Sequence, residues 1–236
     1  MRLTALILTA NALSPLPLLA QEAFELDTIV VTANLEETEA SRTGASVSVV
    51  TEEDLKKTAE TKLTDYLARL PGVSVRTTGP LGSLGGISVR GASQNYVTVT
   101  VDGIDITDPS QPQVSANFGA LTTMDVSRIE VLRGSQSALY GSRAVGGVIA
   151  ITTRRATEEG VRQEAAAEAG SYGTAKLSYG YAMKRGATDV ALTLSHVQTD
   201  GFSAADEADG NTEADGYRAE RLSLAFGHDF GGGTKL

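Results

Sequence analysis

"SRIEVLRGSQSALYGSRAVGGVIAITTR" (Ser127 to Arg154) is the stretch on which the fold turns. "RIEVLRG" (Arg128 to Gly134) reads as a strand and "SQSALYG" (Ser135 to Gly141) as a short helical stretch. "GGVIAITTRR" (Gly146 to Arg155) is β-branched and reads as a second strand. Gly134, Gly141, Gly146 and Gly147 punctuate the pieces, where a missing Cβ permits tight turns and close backbone approach. A glycine-rich turn at a helix start can also cradle phosphate. Here no P-loop lysine follows and no βαβ repeat surrounds it, so that reading is set aside. What remains is a compact α+β domain.

The same texture begins at Gly44. "ASVSVV" (Ala45 to Val50) alternates like a strand, and Thr51-Glu52-Glu53-Asp54 resembles a capping box with Asp where Glu or Gln is usual. Leu63, Tyr66, Leu67 and Leu70 fall at helical spacing before Pro71-Gly72 stops the helix. Three strands are expected next: "VSVR" (Val73 to Arg76), "ISVR" (Ile87 to Arg90) and "YVTVTVDG" (Tyr96 to Gly103). Two long segments interrupt them, "TTGPLGSLGG" (Thr77 to Gly86) and "IDITDPSQPQVSANFG" (Ile104 to Gly119). Loops of this length in a small domain are functional or disordered. Without a charge block, these suit binding surfaces, with Thr78, Leu81 and Ser83 in the first and Asp108, Gln111 and Gln113 in the second as candidate ligand contacts.

After Arg155 the pattern changes. "TAKLSYGYAMK" puts Ala175, Leu177, Tyr179, Tyr181 and Met183 on one face against Lys176, Ser178, Gly180, Ala182 and Lys184 on the other. "TDVALTLSHVQT" and "RLSLAFGHDF" repeat the alternation. Segments of about ten alternating residues with short turns mark transmembrane β-barrel strands, although a soluble β-sandwich alternates too. Leu- and Tyr-rich faces favour the barrel. "KRGA" and "GGGT" are short, whereas Asp200 to Gly216 is long, with six acidic residues and no basic one. Barrels of this kind keep short turns in the periplasm and long loops outside. Strands then run up from about Val161, down from Thr174, up from Thr188 and down from Tyr217.

The chain opens with Met1-Arg2 and an apolar run from Leu3 to Leu13, broken at Pro15 and Pro17. That reads as a secretory signal peptide, residues 1–20, and falls short of the about 20 apolar residues that span a bilayer. "LDTIVVTANLEETEAS" (Leu26 to Ser41) follows, a β-branched strand with no hairpin partner in sight. Unpaired strand edges recruit other chains. There is no cysteine, hence no disulfide framework, and only His196 and His228 are available for histidine chemistry. A net charge of −9 argues against a nucleic-acid binder. No credible nucleophile and base pair is present, so an enzyme is not expected.

Taken together, the chain resembles a TonB-dependent outer-membrane receptor. The matching pieces are "DTIVVTA" (Asp27 to Ala33), "LARLPGVSV", "SVRG" ending at Gly91, "VTVDGI", the opening stretch and the barrel strands. Within the family it is most similar to cobalamin receptors, from "VVTAN" through the acidic loop. The resemblance implies an α+β plug domain with a small mixed sheet, followed by the first antiparallel strands of a transmembrane β-barrel. The implied divisions are residues 21–40 as the segment with the TonB box, 41–155 as the plug and 156–236 as about four barrel strands.

The resemblance also assigns roles. Asp27, Thr28, Ile29, Val30, Val31 and Thr32 would form the TonB box, added as a strand to TonB, which an inner-membrane complex energises. The alternative, that they are the plug's own first strand, stays open. Arg90 and Arg133 would ion-pair with barrel glutamates and hold the plug, or else be surface arginines at strand ends. Glu213 and Asp215, with Asp206 and Asp209 in support, would bind Ca2+ in the extracellular loop, against the alternative of a solvated acidic loop. No cofactor is required. The ligand would be a corrinoid or else a ferric siderophore, and the location the outer membrane of a Gram-negative bacterium with the plug facing the periplasm.

Four strands do not close a barrel, since the smallest single-chain barrels have about eight. The sequence is therefore expected to stop partway through a gene. The competing class is an exported plug-like binding module that engages TonB or ligand without transport.

Overall fold

The computed structural model describes residues 30–31, 38–39, 44–58, 60–110 and 114–235. The signal-peptide reading, Asp27, Thr28, Ile29, Thr32, Gln111 and Gln113 lie outside them. The described residues start with two short strands, β1 (Val30–Val31) and β2 (Thr38–Glu39), and then form two larger sheets.

The first large sheet is the core of the α+β domain. It is ordered β3 (Ser46–Thr51), β8 (Val126–Arg133), β9 (Gly147–Thr153), β6 (Val97–Val101), β7 (Ile104–Asp105). Only β6 and β9 run parallel, so the sheet is mixed as expected. A separate hairpin, β4 (Val73–Thr77) with β5 (Gly85–Val89), packs beside it. Ile129, Val131, Ile149 and Ile151 point into the main core with Leu63, Leu67 and Phe118, while Leu132 and Val148 meet Ala144 on the opposite face. β8 is thus buried on both sides, which is why "IEVL" reads as a run rather than an alternation. Glu130 in that run is buried, and the Arg128 Nε donates to its carboxylate at 2.6 Å.

The capping box forms with aspartate. Thr51 Oγ1 accepts from the Asp54 N–H at 3.3 Å, and Asp54 Oδ2 accepts from the Thr51 N–H at 3.0 Å, opening α1 (Glu52–Lys56). The Thr51 hydroxyl, and then its N–H, hold the Asp54 carboxyl below its ordinary range. The depressed folded value means this stabilisation is present above about pH 4 and is lost as pH falls through the folded value. Thr51→Ala removes a cap of about 1 kcal/mol. Amide hydrogen exchange over residues 52–57 is expected to quicken about fivefold at neutral pH, and to quicken less at low pH, where Asp54 is protonated.

Two element ends differ from expectation. The helix α2 (Leu63–Leu67) stops before Leu70, whose N–H turns back to the Leu67 carbonyl ahead of Pro71. The "ISVR" strand starts earlier, at Gly85, and ends at Val89. Arg90 is no strand residue: its φ is 49°, held by its N–H donating to the Gly72 carbonyl at 2.7 Å. Left-handed backbone at a non-glycine is uncommon and persists where the surroundings fix it.

The second sheet runs in chain order, β10 (Gly160–Ala169), β11 (Ala175–Arg185), β12 (Thr188–Thr199), β13 (Tyr217–Gly231) and β14 (Thr234–Lys235), all antiparallel. The α+β domain lies against one face. Lys176, Ala191, Thr193 and Val197 are buried on that face, whereas Leu177, Leu194, Leu222, Leu224 and Phe226 stand exposed on the other. Leu224 is 69 % exposed. A soluble sandwich would cover its large apolar side chains. This sheet covers its small and polar side and bares the apolar one, which is the arrangement of a membrane strand sheet around a polar interior. Among the described residues the sheet stays open, with four long strands and the start of a fifth.

Candidate functional site

The two long loops meet. Thr78 N–H donates to the Leu84 carbonyl at 3.0 Å, closing the first loop over residues 78–84. Gly82 N–H donates to the Gly119 carbonyl at 2.9 Å and Phe118 N–H to the Gly85 carbonyl at 2.9 Å, joining it to the end of the second. The Asn117 side-chain oxygen accepts from both Gly85 N–H (3.0 Å) and Gly119 N–H (2.9 Å). Phe118, buried beneath, anchors the junction. The result is one continuous surface made of two loops that are distant in sequence.

The candidate contacts divide on this surface. Thr78 is exposed, and Ser83 is half-buried with its hydroxyl donating to the Pro80 carbonyl. Leu81 is buried, so it supports the loop from inside. Leu84, not singled out from sequence, stands 63 % exposed instead. A lone leucine among glycines carries no periodic signal to mark which way it faces. Asp108 Oδ1 accepts from the Ser110 N–H (2.9 Å) and hydroxyl (2.6 Å), folding the second loop locally. Arg143 reaches the base of that loop, donating to Thr107 Oγ1 at 2.6 Å and to Asp105 Oδ2 at 2.5 Å.

Arg90 and Arg133 converge on Gly72. A Cβ there would lie 3.5 Å from Arg90 Cγ and 3.7 Å from Arg133 Nε. Arg133 is buried and donates to the Pro71 carbonyl (2.8 Å) and Ser48 Oγ (2.9 Å), whereas Arg90 is exposed. Burial, and then the neighbouring Arg90 charge, push the Arg133 guanidinium below its usual value. It nonetheless stays charged at any ordinary pH. Among the described residues neither arginine makes an ion pair, so two like charges, one buried and one exposed, stand side by side at Gly72.

The acidic loop is not gathered around an ion. Asp215 Oδ2 accepts from the Ala204 N–H at 2.7 Å and Asp206 Oδ1 from the Ala208 N–H at 2.9 Å. Asp209 and Glu213 are exposed. Among the described residues no three carboxylates or histidines converge as metal ligands.

At the N-terminus the orphan strand has a partner after all. Val30 pairs with Glu39 and Val31 with Thr38, antiparallel. A pattern reading does not show this, because two-residue strands carry no alternation.

Between the two sheets runs a seam of charge missed in the sequence. Lys56 Nζ on α1 donates to Glu164 on β10 at 2.6 Å, and Arg154 Nε lies 3.4 Å from Glu52. Lys176, buried, pairs with Glu168. The signal was there as parity: Glu164, Glu168 and Lys176 fall on the inward positions of their strands.

These features define a plug, a mixed α+β domain with joined loops, seated on the polar face of an antiparallel membrane sheet. Residues 39–148 match the TonB-dependent Receptor Plug Domain family. The chain is 36% identical over 229 residues to the vitamin B12 transporter BtuB of Vibrio cholerae, covering 95% of this chain and 37% of that protein. It is 33% identical to the same transporter of Vibrio vulnificus over 225 residues, 94% of this chain and 36% of that one. Among solved structures, the ferric yersiniabactin uptake receptor FyuA of Yersinia pestis superposes with a TM-score of 0.61 at 24% identity, over 80% of this chain and 29% of that one. The ferripyoverdine receptor of the Pseudomonas aeruginosa outer membrane gives 0.67 at 16% identity, over 86% and 26%. The chain belongs to the TonB-dependent receptors, similar to the cobalamin receptors among them. It spans little more than a third of the length of the curated relatives it matches.

Proposed function

We propose that the complete receptor carrying this chain sits in the outer membrane of a Gram-negative bacterium and takes up a corrinoid by TonB-coupled active transport. The observation that carries this reading is the similarity to vitamin B12 transporters over 95% of the chain, plug and first strands alike. The joined plug loops offer a polar, glycine-rich surface whose N–H, C=O and hydroxyl groups suit the amide-bearing rim of a corrinoid. Beside them stands a loop with six carboxylates and no basic residue. Its field repels anionic ferric complexes at low salt and leaves a corrinoid of little net charge unaffected.

Coupling follows from population shift. Ligand bound to the plug loops biases the plug only through its different affinity for two plug states. In the state it favours, Val30 and Val31 leave their own chain and add to TonB as a strand. Pull on that strand then rearranges the plug against the charged seam.

Equilibrium binding of cyanocobalamin and of a panel of ferric siderophores to the purified receptor decides the ligand. Tight cyanocobalamin binding, insensitive to salt, is expected. Tight siderophore binding with no detectable corrinoid binding would overturn the ligand while leaving receptor and fold in place.

A further inference from the structure

We infer that β13 and the acidic loop before it form the seat of both plug loops, with Ala204, Tyr217 and Arg221 as positioning residues for the ligand surface. This rests on the reading of those loops as ligand-binding. Tyr217 and Arg221 share the inward face of β13, about 13 Å apart along the strand. The Tyr217 ring lies directly against Gly82, at a φ of 95°, where any Cβ would strike it. Ala204 lies against Gly79 just as closely, with 2.7 Å between its Cβ and the place a Gly79 Cβ would occupy. The first plug loop therefore touches the barrel through two glycines.

Arg221 takes the stretch that leads out of the second loop. Its guanidinium donates to the Ala120 carbonyl at 3.0 Å and to Thr122 Oγ1 at 3.3 Å, and lies 3.6 Å from Asp125 Oδ1. The Gly82 to Gly119 hydrogen bond ties the two loops to each other, so the contacts form a closed circuit from β13 through both loops and back. Asp215 completes it, since its carboxylate accepts the Ala204 N–H and holds that residue against Gly79. Its role here is that of a latch within the loop. A shift at either plug loop must move the acidic loop with it, and the surface presented to ligand depends on a wall residue that does not touch the ligand.

The test is a transplanted methyl group in the complete receptor. Gly79 has ordinary backbone, so Gly79→Ala acts by collision, first with the Ala204 Cβ at 2.7 Å and more weakly with Ser83 Oγ at 3.2 Å, a hydroxyl that can rotate aside. Cyanocobalamin binding is expected to weaken about tenfold, the cost of moderate overpacking. Adding Ala204→Gly makes room for the new methyl and is expected to restore it. Asp215→Ala is expected to weaken binding equally in calcium and in chelator. A binding loss that Ala204→Gly does not rescue, or one at Asp215 that appears only with calcium, overturns the proposal. A ligand-free arm separates it from the corrinoid reading. Gly79→Cys with Ala204→Cys should form a disulfide in isolated outer membranes, the required Cβ separation being about 3.8 Å. Gly79→Cys with Gly210→Cys should not. If the first pair stays reduced, the seat does not exist. If it bonds in a receptor that binds a ferric siderophore and no cyanocobalamin, the seat stands, the corrinoid assignment falls, and that siderophore becomes the probe for the methyl test.

Discussion

Val30→Pro in the complete receptor is expected to abolish uptake of cyanocobalamin while leaving its equilibrium binding within about twofold, since Val30 belongs to neither plug loop. Proline removes a main-chain donor and cannot sit in the middle of a paired strand. The self-pairing of Val30 and Val31 with Glu39 and Thr38 makes a second variant necessary, because proline disturbs that hairpin as well. Thr38→Pro opens the pairing from its other side and leaves the Val30–Val31 strand itself unchanged. It is expected to keep or raise uptake, since the strand then has one competitor fewer. Uptake lost equally in both variants would mean that the hairpin itself, and not its capture by TonB, is the working state. Normal uptake in Val30→Pro would remove the strand from the coupling altogether. Transport of labelled cyanocobalamin into whole cells, with binding measured on purified receptor, separates these outcomes.

Gly119→Ala is expected to weaken ligand binding about a hundredfold, an overpacking cost of about 3 kcal/mol. A Cβ at this position would overlap the Ser83 carbonyl, which is backbone and cannot rotate away. The collision falls at the junction where Gly82, Gly85, Phe118 and Gly119 bond the two loops together. Separating the loops breaks the surface without altering a residue of the barrel strands or of the Val30–Val31 strand. Gly44→Ala is the matched control, because its Cβ meets nothing within 4 Å. Isothermal calorimetry on both variants checks the contrast. Unchanged binding in Gly119→Ala would show that the ligand does not use the joined loops.

Much of this architecture was legible from residue patterns. The α+β texture follows from the strands and short helix around "RIEVLRG" and "GGVIAITTRR", the mixed sheet came only with the family resemblance, and the capping box at Thr51 and Asp54 was visible because both partners lie within one turn. The barrel strands were legible for the same reason: side chains of a strand alternate strictly, so the sequence reports both faces. Leu177 and Lys176 fell on the sides expected of them. Arg90 was misread because a strand pattern cannot show a left-handed turn imposed by Gly72, eighteen positions away. Leu81 and Leu84 are chemically alike, and only packing distinguishes the buried one from the exposed one.

The sequence by itself determined the elements and their faces, since periodicity, capping and turn residues act over a few neighbours. It also set aside the chemistry of thiols, and it placed six carboxylates on one loop. What the tertiary structure alone decided is which of those pieces touch. The junction of the two plug loops, the convergence of Arg90 and Arg133 at Gly72, the seam from Lys56 to Glu164, and the seating of Gly79 and Gly82 against Ala204 and Tyr217 all join residues far apart in the chain. Such contacts depend on how two finished sheets pack, and a glycine at a close approach looks the same in sequence as a glycine in a free turn. Gly82 and Gly103 both have positive φ, yet only Gly82 has a tyrosine ring against it. The difference is steric, and it exists only once the barrel wall stands beside the plug.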